Sequence, residues 1–215
     1  ELGRVMRVNA VYLQSFLGAA ATPYAWRNDL DLAGFDALGD LGVHMIDGVH
    51  FLTGLDYRRV VGVAQTLVPE KTDAAGVKRR VTTDTNAAFL AELTGNVIAT
   101  FETTQVAPGY GNFFRIEISG ERGTLVVNSD QPDSIALRTG TPETPGDLWK
   151  TGIPVQPLPA DFTHRTAPSP PAAIVPTIRG EQVPYFPTFA DGLRAQRVLG
   201  AILDSMKTGA WQTLG

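Results

Sequence analysis

Between residues 85 and 128 the sequence alternates short β-prone runs with glycine-containing turns, and this constrains the fold more than any other feature. Residues 85–93 (TNAAFLAEL) and 97–104 (VIATFETT) flank Thr94-Gly95-Asn96. Residues 113–119 (FFRIEIS) and 124–128 (TLVVN) flank Gly120-Glu121-Arg122-Gly123. Apolar runs joined by residues that tolerate positive φ read as hairpins. Successive hairpins build an antiparallel sheet, which can bury one face and leave the other for a partner. Further strands are predicted over 4–13, 59–67 and, more briefly, 135–138. Two helices complete the pattern. One runs over 36–53 and is stopped by Gly54; the other runs over 188–206, with Ala195, Leu199, Ile202 and Met206 at helical spacing and Gly209 just beyond.

Proline marks a change of character. Eleven of the 15 prolines fall between Pro142 and Pro187, which predicts a long irregular segment without regular helix, carrying at most an edge strand over 153–158. Scattered Ile174, Val175, Ile178, Tyr185 and Phe186 favour packing of that segment on the body, so residues 1–215 are read as one domain. At 215 residues and 43% hydrophobic composition, folding buries roughly 70% of the unfolded surface, and the core needs no disulfide or metal staple.

Several function classes are excluded. The charge balance, 18 basic against 22 acidic residues, gives −4 and argues against nucleic-acid binding. The chain has no cysteine, which removes disulfides, thiolate catalysis and Cys-ligated zinc and fits the cytoplasm. Only three histidines occur, without H-x-H or H-E-x-x-H spacing, so no metal site is expected. No apolar run approaches the roughly 18 residues that span a bilayer. No G-x-x-x-x-G-K-[ST], G-x-S-x-G or strand-linked G-x-G-x-x-G is present; Gly109-Tyr110-Gly111 lacks the third glycine and the following helix. The chain opens on Glu1-Leu2-Gly3-Arg4-Val5, with neither an initiator Met nor a signal-peptide layout, and reads as a piece of something longer.

Chemistry concentrates in Gly39-Asp40-Leu41-Gly42-Val43-His44-Met45-Ile46-Asp47. At about 100° per residue, Asp40, His44, Asp47 and Phe51 share one stripe on a helix that is otherwise apolar nearly all round. Buried ionisable groups cost several kcal/mol unless paired or solvated, so the stripe is expected to face a cavity or a polar partner. Residues four apart stack, which lets Asp40 reach the His44 ring, or both reach one ligand hydroxyl, an arrangement suited to proton transfer at an alcohol. The same spacing also fits a core histidine satisfied by its neighbour. Trp26 and Arg27 in the preceding loop, and His164 in the proline-rich segment, are further candidate ligand contacts. Asp84 reads as a turn residue, and Glu70, Lys71 and Asp73 as a solvated loop.

Taken together, these residues resemble the C-terminal domain of the glucose–fructose oxidoreductase/inositol dehydrogenase (Gfo/Idh/MocA) family of NAD(P)-dependent oxidoreductases. The resemblance runs from Trp26-Arg27 through the Asp40–His44 helix, Thr83-Asp84-Thr85, the Gly95 hairpin, Pro108-Gly109 and residues 118–125 to Phe189-Ala190-Asp191-Gly192-Leu193. It implies an α+β fold with a large, predominantly antiparallel open β-sheet and helices packed on one face. It implies a sugar, cyclitol or related polyol substrate oxidised at a hydroxyl, His44 assisting proton transfer and Asp40 binding or orienting substrate and histidine, with Arg27, Trp26, Asp47 and His164 as substrate contacts. The N-terminal Rossmann domain that would hold NAD or NADP, together with the family's catalytic lysine, is absent from this chain, so no cofactor is expected to bind it. The open sheet face implies a homo-oligomer. A non-catalytic sugar-binding or dimerisation domain that keeps the fold is the rival reading.

Overall fold

The computed structural model describes residues 2–140, 153–158, 170–181, 183 and 186–215. Among them the main sheet has nine strands in the order β10-β9-β8-β7-β1-β6-β5-β2-β11. β1 (Val5–Gln14) lies near the middle, parallel to β6 (Val97–Thr104) and antiparallel to β7 (Asn112–Gly120). All other neighbours pair antiparallel: β2 (Tyr57–Gln65), β5 (Asn86–Leu93), β8 (Gly123–Asn128), β9 (Ser134–Thr139), β10 (Val155–Pro157) and β11 (Gln212–Thr213). The β5–β6 turn places both Gly95 and Asn96 at positive φ, the conformation expected of that tripeptide.

Alternation along the strands divides the faces. Val8, Ala10, Phe89, Ala91, Ala99, Phe101, Ile116 and Ile118 point into one core. They meet Met45, Ile46 and Val49 of helix α2 (Val43–Thr53) and Ala195, Val198, Leu199 and Ile202 of helix α4 (Phe189–Thr208). Phe89 and Phe101 stand opposite each other in register and stack at 4.2 Å. Each such side chain contributes roughly 1.5–3 kcal/mol by burial. The opposite face carries Val63, Leu90 and Ile98, all exposed, among the ion pairs Arg7–Glu117, Arg59–Glu92 and Arg115–Glu117. The helices that pack on the sheet therefore occupy one face, as the resemblance implies. Helix α4 starts in a capping box: Thr188 N–H and Oγ1–H both donate to the Asp191 carboxylate, which also receives Arg194.

Three elements differ from the expectation. The proline-rich segment contains a helix, α3 (Pro170–Ile178). Pro170 and Pro171 occupy its first turn, where the missing N–H would have no helical partner in any case, so only Pro176 interrupts the ladder. Residues 70–80 are not a solvated loop but a hairpin, β3 (Glu70–Thr72) with β4 (Lys78–Arg80). Lys71 is 2% exposed, and its ammonium donates to the Leu17 carbonyl at 2.6 Å, fastening the loop after β1. Finally, short turns at Trp26–Asn28 and α1 (Leu30–Ala33) break what reads as a plain loop. The edge strand expected over 153–158 is present as β10. Among the described residues no helix is long and apolar enough to cross a membrane.

Candidate active site

The helix with the Asp-x-x-x-His motif opens as a wide π-helical turn, Leu38–Gly42, and becomes α-helical only at Val43. Two local causes are visible. The Asp84 carboxylate accepts from the N–H groups of Asp36 at 2.7 Å and Leu38 at 2.6 Å, capping the turn from a distant strand end. At Gly39, a Cβ would stand 1.7 Å from the Phe35 ring, so only glycine lets the ring lie against the turn. The expected stripe assumed α-helical pitch throughout. The wide turn changes the angle per residue between Asp40 and His44, and the two side chains do not hydrogen-bond.

Asp40 instead belongs to a polar cluster. Its carboxylate faces Arg27 Nη2 at 3.4 Å and accepts from Gln105 Nε2 at 3.3 Å. Asp36, which the sequence reading did not single out, sits at the centre with a side chain 1% exposed. It faces Arg27 Nε at 3.2 Å and accepts from Gln105 Nε2 at 3.0 Å and Asn28 Nδ2 at 3.2 Å. Burial pushes the Asp36 carboxyl above its ordinary range, opposed by the Gln105 hydrogen bond and the Arg27 charge. Burial likewise lowers the Lys71 ammonium, with the Asp36 charge working against it. Burial also raises the half-buried Asp84 carboxyl, against the backbone donors that favour its charged form. Arg27 is thus turned inward and committed to two carboxylates, while Trp26 is 65% exposed beside it. The two candidate ligand contacts Trp26 and Arg27 therefore stand in different surroundings.

His44 behaves oppositely. Its side chain is exposed, its ring rests 5.8 Å from the ring of Tyr12 on β1, and Tyr12 in turn packs edge-on against Phe114. Among the described residues neither imidazole nitrogen has a hydrogen-bond partner. His44 lines a cavity of about 740 Å³ between α2, α3 and α4, with Asp47 three residues further on. Asp47 also lacks a hydrogen-bond partner among the described residues. Its charge adds to burial in holding the Tyr57 phenol well above its ordinary range, and Tyr57 donates to the Ile46 carbonyl. His50 is tied to the end of the same helix, its Nδ1 3.0 Å from the Leu55 carbonyl.

The structure therefore brings His44 and Asp47 to one cavity and Arg27 and Asp40 to a neighbouring cluster, and leaves Trp26 outside both. His164 lies outside the described residues. Tyr12, Gln105, Asp36 and Lys71 were missed from the sequence. Tyr12 was findable, since it continues the inward phase of Val8 and Ala10. Gln105 was not, because nothing local marks a glutamine that is buried by contacts with Asp36, distant in the chain.

Among the described residues no group of three or more His, Asp or Glu is placed to hold a metal ion. Gly109-Tyr110-Gly111 joins β6 directly to β7 with no helix for a pyrophosphate.

Comparison with known proteins bears on this geometry. Levoglucosan dehydrogenase from Pseudarthrobacter phenanthrenivorans is 27% identical over 246 residues, covering 98% of this chain and 60% of that protein. An oxidoreductase domain protein from Kribbella flavida superposes over the whole chain with a TM-score of 0.80 at 29% identity, again matching 60% of that chain. A levoglucosan dehydrogenase solved in complex with NADH and L-sorbose gives a TM-score of 0.81 at 24% identity, a likeness of fold, with 100% of this chain and 60% of that one covered. The chain thus spans about 60% of the length of these relatives. The GFO/IDH/MocA C-terminal domain model matches residues 1–126, more than half of the sequence, and with the α+β open sheet it establishes that this chain belongs to the Gfo/Idh/MocA family of oxidoreductases.

Proposed function

We propose that this domain is the substrate-binding and proton-handling half of a dehydrogenase that oxidises a hydroxyl of a sugar, cyclitol or related polyol. One observation carries the reading: an imidazole with no protein partner among the described residues faces a cavity from a helix whose other side is locked into the core. Buried ring nitrogens are normally satisfied by protein neighbours, whereas this exposed ring keeps both nitrogens open to the cavity. An unsatisfied one at a cavity is placed to accept a proton from a ligand hydroxyl. The levoglucosan dehydrogenase relative supports the substrate class.

The division of labour follows from what the chain contains. A nicotinamide dinucleotide, NAD or NADP, would be held by a Rossmann domain outside these 215 residues, and the chain alone is proposed to be inactive and to bind neither form. Within the chain, His44 takes the hydroxyl proton at a ring nitrogen, Tyr12 supports the ring, and Asp47 accepts from a second hydroxyl. Arg27 fixes Asp40 and the start of the helix, so its contribution to substrate binding is indirect. The open sheet face, with Val63, Leu90 and Ile98 exposed, is the proposed interface of a homo-oligomer. The cytoplasm remains the proposed location, in keeping with the absence of cysteine.

The test is His44→Ala in the full-length enzyme. Turnover is expected to fall roughly a hundredfold or more, the usual scale of lost general acid–base catalysis. Near-normal turnover with any polyol that is oxidised would reject the role and favour a non-catalytic binding domain. Calorimetry of the 215-residue chain with each nicotinamide cofactor tests the second part, and micromolar binding would overturn it.

A further inference from the structure

Two fully buried polar residues, Thr103 at the end of β6 and Gln105 just beyond it, reach the start of the helix. Thr103 Oγ1 donates to the Ala37 carbonyl at 3.4 Å. Gln105 Nε2 donates to Asp36 Oδ1 at 3.0 Å and to Asp40 Oδ2 at 3.3 Å. The Gln105 backbone is pinned on both sides: its N–H donates to the Thr85 carbonyl at 3.0 Å, and its carbonyl accepts from Gly18 at 3.1 Å. A Cβ at Gly18 would stand 2.8 Å from that carbonyl oxygen, so glycine lets the loop after β1 lie directly on it. The side-chain amide cannot turn over, because reversal would set Oε1 against two carboxylates. In the orientation it holds, Oε1 is buried without a hydrogen-bond partner among the described residues, which costs stability. The two carboxylates therefore set the orientation of the amide, against the needs of its own oxygen.

Of the two carboxylates, Asp36 is enclosed, whereas Asp40 keeps 31% of its side chain exposed. Its Oδ1 faces Arg27 and its Oδ2 accepts from Gln105. A separate contact at each oxygen fixes the carboxylate plane about the Cβ–Cγ bond and leaves one edge open. From this we infer that Gln105 is a positioning residue for the oxidation: by bridging Asp36 and Asp40 it fixes the Asp40 carboxylate as a rigid acceptor for a substrate hydroxyl. The inference rests on the dehydrogenase reading of this domain and adds to it a residue that touches no substrate. The charged groups around Asp36 are Arg27, Asp40, Lys71 and Asp84. Burial raises the Asp36 carboxyl, and the Gln105 hydrogen bond is the strongest influence against that rise, ahead of the Arg27 charge. Without this donor Asp36 takes up a proton at higher pH, and a neutral Asp36 holds Arg27 less firmly.

The experiment records the pH profile of kcat/KM for the full-length enzyme, with whichever of glucose and myo-inositol it oxidises faster, in the wild type, Gln105→Met and Gln105→Glu. At neutral pH, Gln105→Met is expected to lower kcat/KM about tenfold, chiefly by raising KM, the scale of a lost hydrogen bond to a charged group. The two variants should then diverge from the wild type in opposite directions. In Gln105→Met the acid limb moves to higher pH, so the deficit deepens as pH falls. In Gln105→Glu a protonated carboxyl still donates, and an ionised one repels Asp36 and Asp40, so the deficit deepens as pH rises. Loss of folded protein alone would lower all points of a profile together. Gln105→Glu keeps the shape of the side chain and supplies the answer if Gln105→Met does not fold. Profiles parallel to the wild type in the folded variants, or an unchanged kcat/KM, would overturn the assignment and leave the dehydrogenase reading standing. Failure of the wild type to oxidise either probe would overturn both.

Discussion

The two polar regions on the helical segment 38–53 are built on opposite terms. At the π-helical turn, Asp36, Asp40, Arg27, Asn28 and Gln105 are drawn together. One turn later, His44 and Asp47 line a cavity and have no hydrogen-bond partner among the described residues. The first arrangement resists change, because any member removed leaves a buried charge or donor behind. The second tolerates change in the fold and concedes it in chemistry. A short stretch of sequence thus holds one cluster that stabilises the helix start and one pair that is available to a ligand.

Substitutions should separate the two regions cleanly. The largest effect expected is on activity: His44→Ala lowers turnover roughly a hundredfold. Because the ring is exposed, unfolding free energy should move by no more than about 0.5 kcal/mol, read by denaturant titration. If the protein unfolds instead, the contrast between the regions is wrong.

Next comes Arg27→Met, which leaves the Asp36 carboxylate without its cation. Destabilisation of about 3 kcal/mol is expected at neutral pH. The sign with pH is fixed by the raised Asp36 value, which the substitution raises further. The folded state then takes up a proton before the unfolded chain does. The penalty therefore shrinks as pH falls through the folded-state value and is gone below about 3.9, the unfolded one. Parallel denaturant curves for variant and wild type between neutral and acid pH check this, and a pH-independent difference would refute the buried-charge explanation.

Smaller again, Asp84→Asn weakens a cap that holds two N–H groups of the π-helical turn, and about 1–2 kcal/mol should be lost in the same assay. Ile98→Glu, on the open face, should leave the monomer's fold unchanged and shift sedimentation towards a smaller species; unchanged sedimentation would remove that face from the interface. The smallest effect is expected at Asp191, whose carboxyl is held well below its ordinary range by Thr188 and Arg194. Its contribution is present above about pH 4 and fades as pH falls through the folded-state value, so Asp191→Asn should lower the melting temperature by only a few degrees at neutral pH and by less in acid.

How far the sequence could be read follows the same division. The strands were legible because alternation and glycine turns are local, and 97–104 agrees to the residue with β6. The pitch of the helix start was not, since it depends on Phe35 lying against Gly39 and on Asp84 arriving from another part of the chain. Lys71 looked solvated because its neighbours are polar; only the loop after β1, folded back over it, makes it buried. Helix α3 was not legible because prolines crowd the segment, and only the placement of Pro170 and Pro171 in its first turn makes them compatible with a helix. The histidine was found by its company of apolar residues, but its acidic companion at the cavity is Asp47 and not the more conspicuous Asp40.

The central placement of β1 sets the order in which this domain can assemble. Its two neighbours lie far along the chain: Asn9 meets Thr100 across 91 positions. Neither half of the sheet, β7 to β10 or β6 to β11, contacts the other through backbone pairing except by way of that strand. On a ribosome the first strand must wait for the whole middle of the domain to emerge, which predicts slow, late closure driven by long-range contacts. A truncation that removed those ten residues would divide the sheet into two independent ribbons rather than trim an edge.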